Sequence, residues 1–155
     1  MAFRVRGLDP APFLDLYGLS ETALAARGVR RCIADARPGF PDRVEVRDAE
    51  PGEALLLLNY VHQPAGTPFR ASHAIFVREG AARALDLLDA IPDAIRLRPI
   101  SLRAFDASGE MLDADLAEGC DLEPLIARFL AKPEIDYLHA HYAKRGCYAA
   151  RIERA

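Results

Sequence analysis

The stretch from Gly52 to Arg78 limits the fold more than any other. Leu55-Leu56-Leu57-Leu58-Asn59-Tyr60-Val61-His62 carries apolar side chains on both faces of an extended chain, as a strand sandwiched between layers does. It breaks at Gln63-Pro64-Ala65-Gly66-Thr67-Pro68, where prolines remove backbone donors, and an apolar segment resumes from Phe69 to Arg78. Two core strands therefore meet a polar loop, and titratable groups gather at the strand ends.

Weaker patterns surround this centre. Phe3-Arg4-Val5-Arg6 alternates and stops at Gly7, which predicts a short edge strand. Ser20 caps a helix ending at Gly28, and an extended segment follows from Val29 to Ala34. Pro38-Gly39-Phe40-Pro41 forms a turn, and the alternation of Arg43-Val44-Glu45-Val46-Arg47 predicts a half-exposed strand. Leu85, Leu88 and Ile91 lie one helical turn apart, so residues 81–91 read as a helix stopped by Pro92. Ile100 to Asp106 and Met111 to Leu116 form a hairpin turning at Ala107-Ser108-Gly109. Asp121 opens a helix with Pro124 in its first turn and a buried stripe of Leu122, Leu125, Ile126, Phe129 and Leu130. With no repeat or linker, the expectation is one α+β domain over residues 1–155: a mainly antiparallel sheet with two or three helices packed on one face.

Composition removes several function classes. At 155 residues and 51% hydrophobic content the chain can bury its own core, and no window approaches the roughly 18 apolar residues of a membrane span. The N-terminal Met1-Ala2-Phe3-Arg4-Val5-Arg6 lacks a signal-peptide apolar run, so the expected location is cytoplasmic. Cys32, Cys120 and Cys147 stand singly and suit neither a disulfide framework nor a zinc pair. The net charge is −3, and acids such as Asp35, Asp42, Glu45 and Asp48 interrupt the arginines, which disfavours nucleic acid as a partner. Phosphate-loop and dinucleotide fingerprints are missing, which disfavours nucleotide cofactors.

Residues 134–146 fit two readings. Early acids, late bases and Gly146 suit a helix. Tyr137, Leu138 and Tyr142 followed by Lys144-Arg145-Gly146 suit a hairpin whose return strand begins at Cys147, and the hairpin is the preferred reading. The choice governs chemistry, because His139 and His141 share a face on a strand but diverge by roughly 200° on a helix.

Gly52-Glu53-Ala54-Leu55-Leu56-Leu57-Leu58, Arg70-Ala71-Ser72-His73-Ala74-Ile75-Phe76-Val77-Arg78 and Gly146-Cys147-Tyr148 resemble the bacterial domain of unknown function family 1203. The resemblance spans nearly the whole chain. It implies a small stand-alone cytoplasmic protein and supports the single domain and the C-terminal hairpin. It carries no activity, cofactor or catalytic residue onto these positions.

Three constellations carry candidate chemistry. Tyr60, His62, Arg70, Ser72 and His73, with Arg103 reaching in, form a pocket for a small anion, since guanidinium, imidazole and hydroxyl groups bind carboxylate or phosphate. The alternative is a metal-dependent hydrolase or oxygenase built on His139 and His141, joined by His62 or His73 through the fold. A nucleophilic Ser72 or Cys147 is the weakest, because Ser72 lacks an elbow context and its neighbour His73 points to the opposite face. An oligomeric interaction protein is a third functional class.

Overall fold

Strands dominate the computed structural model, which describes residues 2–155. In chain order they are β1 (Phe3–Arg6), β2 (Arg30–Ile33), β3 (Pro41–Asp42), β4 (Arg47–Asp48), β5 (Ala54–Gln63) and β6 (Ala71–Arg78). There follow β7 (Asp86–Leu88), β8 (Pro99–Phe105), β9 (Met111–Glu118), β10 (Tyr137–Tyr142) and β11 (Tyr148–Arg154). Three short helices punctuate them: α1 (Glu21–Ala25), α2 (Asp93–Arg96) and α3 (Leu122–Leu130). No helix among the described residues is long and apolar enough to cross a membrane.

The strands form two sheets, not one. A six-stranded sheet runs β7-β1-β11-β10-β8-β9 and a five-stranded sheet runs β2-β5-β6-β3-β4. Every pairing is antiparallel except the single β3–β6 bridge. On one face of the larger sheet Val5, Ile100, Leu102, Leu138, Ala140 and Ile152 pack under the Leu122, Ile126 and Phe129 stripe of α3. A second core joins Leu56, Ile75 and Val77 of the smaller sheet to Leu24 of α1 and Phe13 and Leu16 of a 3-10 turn. The helices thus serve different layers, which corrects the expectation of one helix-covered face. Each helix is too short to cover a sheet, and each instead plugs one apolar patch.

Two local expectations also fail, for identifiable reasons. Residues 43–46 turn back between β3 and β4 instead of forming a strand, with Val46 at φ 50°. The Asp42 carboxylate accepts from Glu45 N at 2.6 Å and from Arg78 N at 2.7 Å, so a side-chain-stabilised turn outcompetes the strand. Val44 and Val46 still go inward, which is what the alternation encoded. The 81–91 helix is absent, and β7 covers the free edge of β1. Asp86 pairs with Arg4 at 2.7 Å, Asp89 accepts from Phe3 N at 2.8 Å, and Leu88 stays 52% exposed. An unpaired strand edge has more backbone bonds to gain than a short isolated helix does. β1 is therefore internal, not an edge strand.

The C-terminal segment is the expected hairpin, and the Ile100–Leu116 hairpin, the Ser20 cap and the buried stripe of α3 are also present. Ser20 Oγ accepts from Ala23 N at 3.1 Å, whereas the Asp121 side chain makes no capping bond.

Gly7 marks the tightest backbone approach near the 43–46 turn, since an added Cβ would lie 1.9 Å from the Val44 carbonyl oxygen. Gly7→Ala is expected to destabilise by about 1–3 kcal/mol, seen as a lower urea midpoint at unchanged slope. Gly66→Ala, whose Cβ would meet nothing within 4 Å, should stay within about 0.5 kcal/mol of wild type.

Candidate functional site

Strand β10 is buried on both faces, so its alternating side chains must suit two different interiors. Leu138 and Ala140 join the core beneath α3, while Tyr137, His139 and His141 face the layer between the sheets. Its neighbours extend that polar row: Arg103 of β8 lies opposite His139, and Ser101 opposite His141. On the other side a β-bulge between Ala140 and His141 shifts the register, so His141 pairs with Tyr148 of β11.

The smaller sheet supplies the other half. Tyr60 and His73 are cross-strand partners on β5 and β6, and a second bulge lies between Val61 and Gln63. That bulge lets the consecutive residues His62 and Gln63 both turn toward β10. His62 meets His141 at 5.0 Å between ring centroids, and Gln63 Nε2 donates to the Tyr137 hydroxyl at 2.7 Å. The loop after β5 is pinned as well: Thr67 Oγ1 donates to Gly109 O at 3.1 Å. Gly109, at φ 88°, admits Ala65 so closely that its own Cβ would fall 2.3 Å from the Ala65 methyl.

All four histidines of the chain converge there. His62 Nε2 and His73 Nδ1 are 2.7 Å apart, and one ring nitrogen from each of His62, His73 and His141 lies within 4.8 Å of the others. His139 stands behind them, boxed by Phe105, Tyr137 and Tyr148 at 5.0–5.1 Å. Tyr148 stacks on His62 at 5.0 Å with the rings 10° from parallel.

Tautomers follow from the partners. His141 Nδ1 is 3.0 Å from Gly146 O, and a carbonyl only accepts, so Nδ1 carries the proton and Nε2 keeps its lone pair. His62 Nδ1 is buried without a partner. An orphaned N–H costs more than an orphaned lone pair, which assigns the His62 proton to Nε2, shared with His73.

Burial is the main cause that lowers the pKa of every one of these imidazoles. His62 falls to about 4, His141 to about 3 and His139 to about 2; the Arg103 charge pushes all four, His73 included, the same way. At neutral pH the cluster is four neutral imidazoles. Arg103 itself donates Nε to Ser101 Oγ at 3.3 Å, and burial lowers its pKa with no carboxylate acting against it. The layer thus holds an arginine that has no acid partner among the described residues.

Of the residues singled out from the sequence, His62, His73, His139, His141 and Arg103 come together, with Tyr60 at the border against Phe13 at 5.6 Å. Arg70 and Ser72 do not join them. Arg70 is exposed and donates to Pro64 O at 2.5 Å, and Ser72 pairs with Val61 on the outward face of β5 and β6. Gln63, Tyr137 and Tyr148 belong to the site but carried no sequence signal beyond lying in or beside predicted strands.

A histidine whose folded pKa sits below 6.5 takes up its proton in the unfolded chain first, so its contribution is intact above pH 6.5 and is lost as the pH falls toward the folded value. Metal-free protein should therefore hold its stability between pH 8 and pH 7 and lose up to about 1.4 kcal/mol per pH unit for each histidine between roughly pH 6 and pH 4.5. Carboxylates with depressed values, such as Glu53 at about 2 beside Arg47, add their losses only below that window. A urea midpoint that is flat from pH 7 to pH 5 would contradict buried neutral imidazoles.

Comparison with known proteins adds one relation. The family model described as Protein of unknown function (DUF1203) matches residues 39–154, a span that includes all four histidines and Arg103. No curated protein and no solved structure matches the chain. The match covers well over half of the sequence, and the chain belongs to the DUF1203 family.

Proposed function

We propose that the chain binds a divalent transition-metal ion through His62, His73 and His141, and that the open positions of that ion take a small anion held by Arg103. One observation carries the proposal: nitrogens from three strands of two sheets lie within 4.8 Å of one another, with no carboxylate in the cluster. The residues fit an ion chemically. Imidazoles kept neutral by burial are competent ligands, and the His141 Nδ1 bond to Gly146 O is the outer contact that aims the opposite nitrogen of a ligating histidine. In metal-free protein the 2.7 Å contact between His62 and His73 is bridged by the single N–H hydrogen of a neutral imidazole. An ion at this place would be held by one nitrogen from each of His62, His73 and His141, in place of the His62–His73 hydrogen bond, and would supply Lewis-acid chemistry there.

Charge favours an anion as the further ligand. Three neutral imidazoles leave both charges of the ion uncompensated, and Arg103 adds a third beside them. A carboxylate or hydroxide completes such a site, and a planar guanidinium is shaped to hold the second oxygen of a carboxylate. A three-histidine ion with an open position supplies Lewis-acid activation of water or substrate, which suits hydrolytic chemistry on a small anionic substrate. An oxygenase is the second reading and follows if the native ion is iron rather than zinc. His139, enclosed by aromatic rings, packs the site from behind.

Elemental analysis of untagged native protein is expected to find close to one transition-metal ion per chain. Cobalt(II) titration of chelator-treated protein should produce visible d–d bands. His73→Ala, at a half-buried position, should cost at least about a hundredfold in metal affinity, more than loss of an outer contact does. Arg103→Ala should keep the metal but weaken acetate binding to the cobalt form about tenfold, read as a smaller spectral shift. Folded protein that takes up no zinc, cobalt, iron or copper would refute the assignment, as would uptake unchanged by His73→Ala.

A further inference from the structure

A separate cavity lies on the opposite side of β10. It encloses about 520 Å³ between the β3 region and the β10–β11 turn, a size suited to a small molecule. Every charged side chain that lines it is basic: Arg43, Arg98, Lys144 and Arg145. Arg98 is neutralised, because Asp48 accepts from its two terminal nitrogens at 2.6 and 2.9 Å. Arg43 is not. The residue is 2% exposed, and its guanidinium donates to Tyr148 O at 2.8 Å, to Cys147 Sγ at 3.1 Å and to Pro41 O, none of which is a carboxylate. Three of five guanidinium protons are used, and a buried cation without a counter-charge is costly.

A second observation points the same way. Tyr142 lines this cavity and is only 5% exposed, and its hydroxyl is buried with no hydrogen-bond partner. Burial, its largest influence, raises its pKa to about 12, so the group is a proton donor at any physiological pH. Arg43 and Arg98 each stand 5.0 Å from the centre of its ring, which fixes the phenol between two guanidinium groups. Lys144 and Arg145 are exposed on the turn at the mouth and form no ion pair among the described residues. The remaining wall is apolar: Phe40 and Phe76 tilt against each other at 5.3 Å.

We infer that this cavity binds a small carboxylate with a flat apolar body, the carboxylate facing the Tyr142 hydroxyl and the Arg43, Lys144 and Arg145 cations and the body lying on Phe40 and Phe76. A carboxylate supplies the acceptor that Tyr142 lacks and the negative charge that Arg43 lacks. The apolar wall distinguishes it from inorganic phosphate, which would leave Phe40 and Phe76 without a partner. The site does not depend on the histidine cluster, which faces the other side of β10.

Benzoate is the probe, with phosphate and benzyl alcohol as controls, and binding is read by calorimetry and by chemical-shift changes. Benzoate should bind more tightly than either control. Tyr142→Phe, which removes only the unpartnered oxygen, should weaken it about tenfold. The double variant Lys144→Ala/Arg145→Ala, confined to an exposed turn, should weaken it by a similar factor. The benzoate-induced shifts at the residues lining this cavity should be unchanged in His73→Ala, which separates this site from the histidine cluster. No benzoate binding overturns the inference, as does binding indifferent to both Tyr142→Phe and the turn variant, or phosphate binding at least as tight as benzoate.

Discussion

The double burial of β10 governs this molecule. A strand enclosed on both faces must divide its residues between two interiors, and Tyr137–Tyr142 does so residue by residue. Leu138 and Ala140 lie under α3, while His139 and His141 face β5 and β6. A one-residue slip would put imidazoles into the aliphatic core and leave leucine against Arg103. Burial of polar groups without partners makes that register costly, so the pairing with β8 and β11 is strongly specified.

The same strand carries the electrostatics. The histidines are neutral because the two sheets exclude water from them, with Arg103 reinforcing the effect. Acids are abundant elsewhere: Glu45, Glu53 and Glu79 bind Arg78, Arg47 and Arg31 around the smaller sheet. Among the described residues, none of these acids pairs with Arg103 or Arg43. Guanidinium groups without a carboxylate in contact suit, in the interlayer site, a cation that carries an anion with it, and, in the second cavity, an anion alone. The β10–β11 turn touches both places, since Gly146 O holds His141 while Lys144, Arg145 and Cys147 line the second cavity.

Much of the architecture was legible in advance. The apolar run at Leu55–Leu58, the hairpin near Ser108-Gly109, the Ser20 cap and the stripe of α3 were readable because each depends on local periodicity or a local hydrogen bond. The expectations that failed were those where a distant partner outweighed a local pattern. Asp42 reached across to Arg78 N and bent the 43–47 segment, and the bare edge of β1 drew Asp86–Leu88 into a strand. Arg70 and Ser72 looked like site residues by proximity along the chain, but pleat and loop direction turned them to solvent.

By itself the sequence determined that strands predominate around a hydrophobic run, that a C-terminal hairpin was the better fit to residues 134–154, and that His139 and His141 would then share a face. It also narrowed the chemistry to imidazole and guanidinium groups, because four histidines and an excess of arginine stand near strand ends. Only the tertiary structure decided that two sheets exist and that His62 and His73 on one meet His141 on the other. Two bulges made that meeting, one at Val61–Gln63 and one at Ala140–His141. A bulge leaves no periodic trace, since it is a single extra residue whose cost is repaid by contacts between segments about eighty residues apart in the chain.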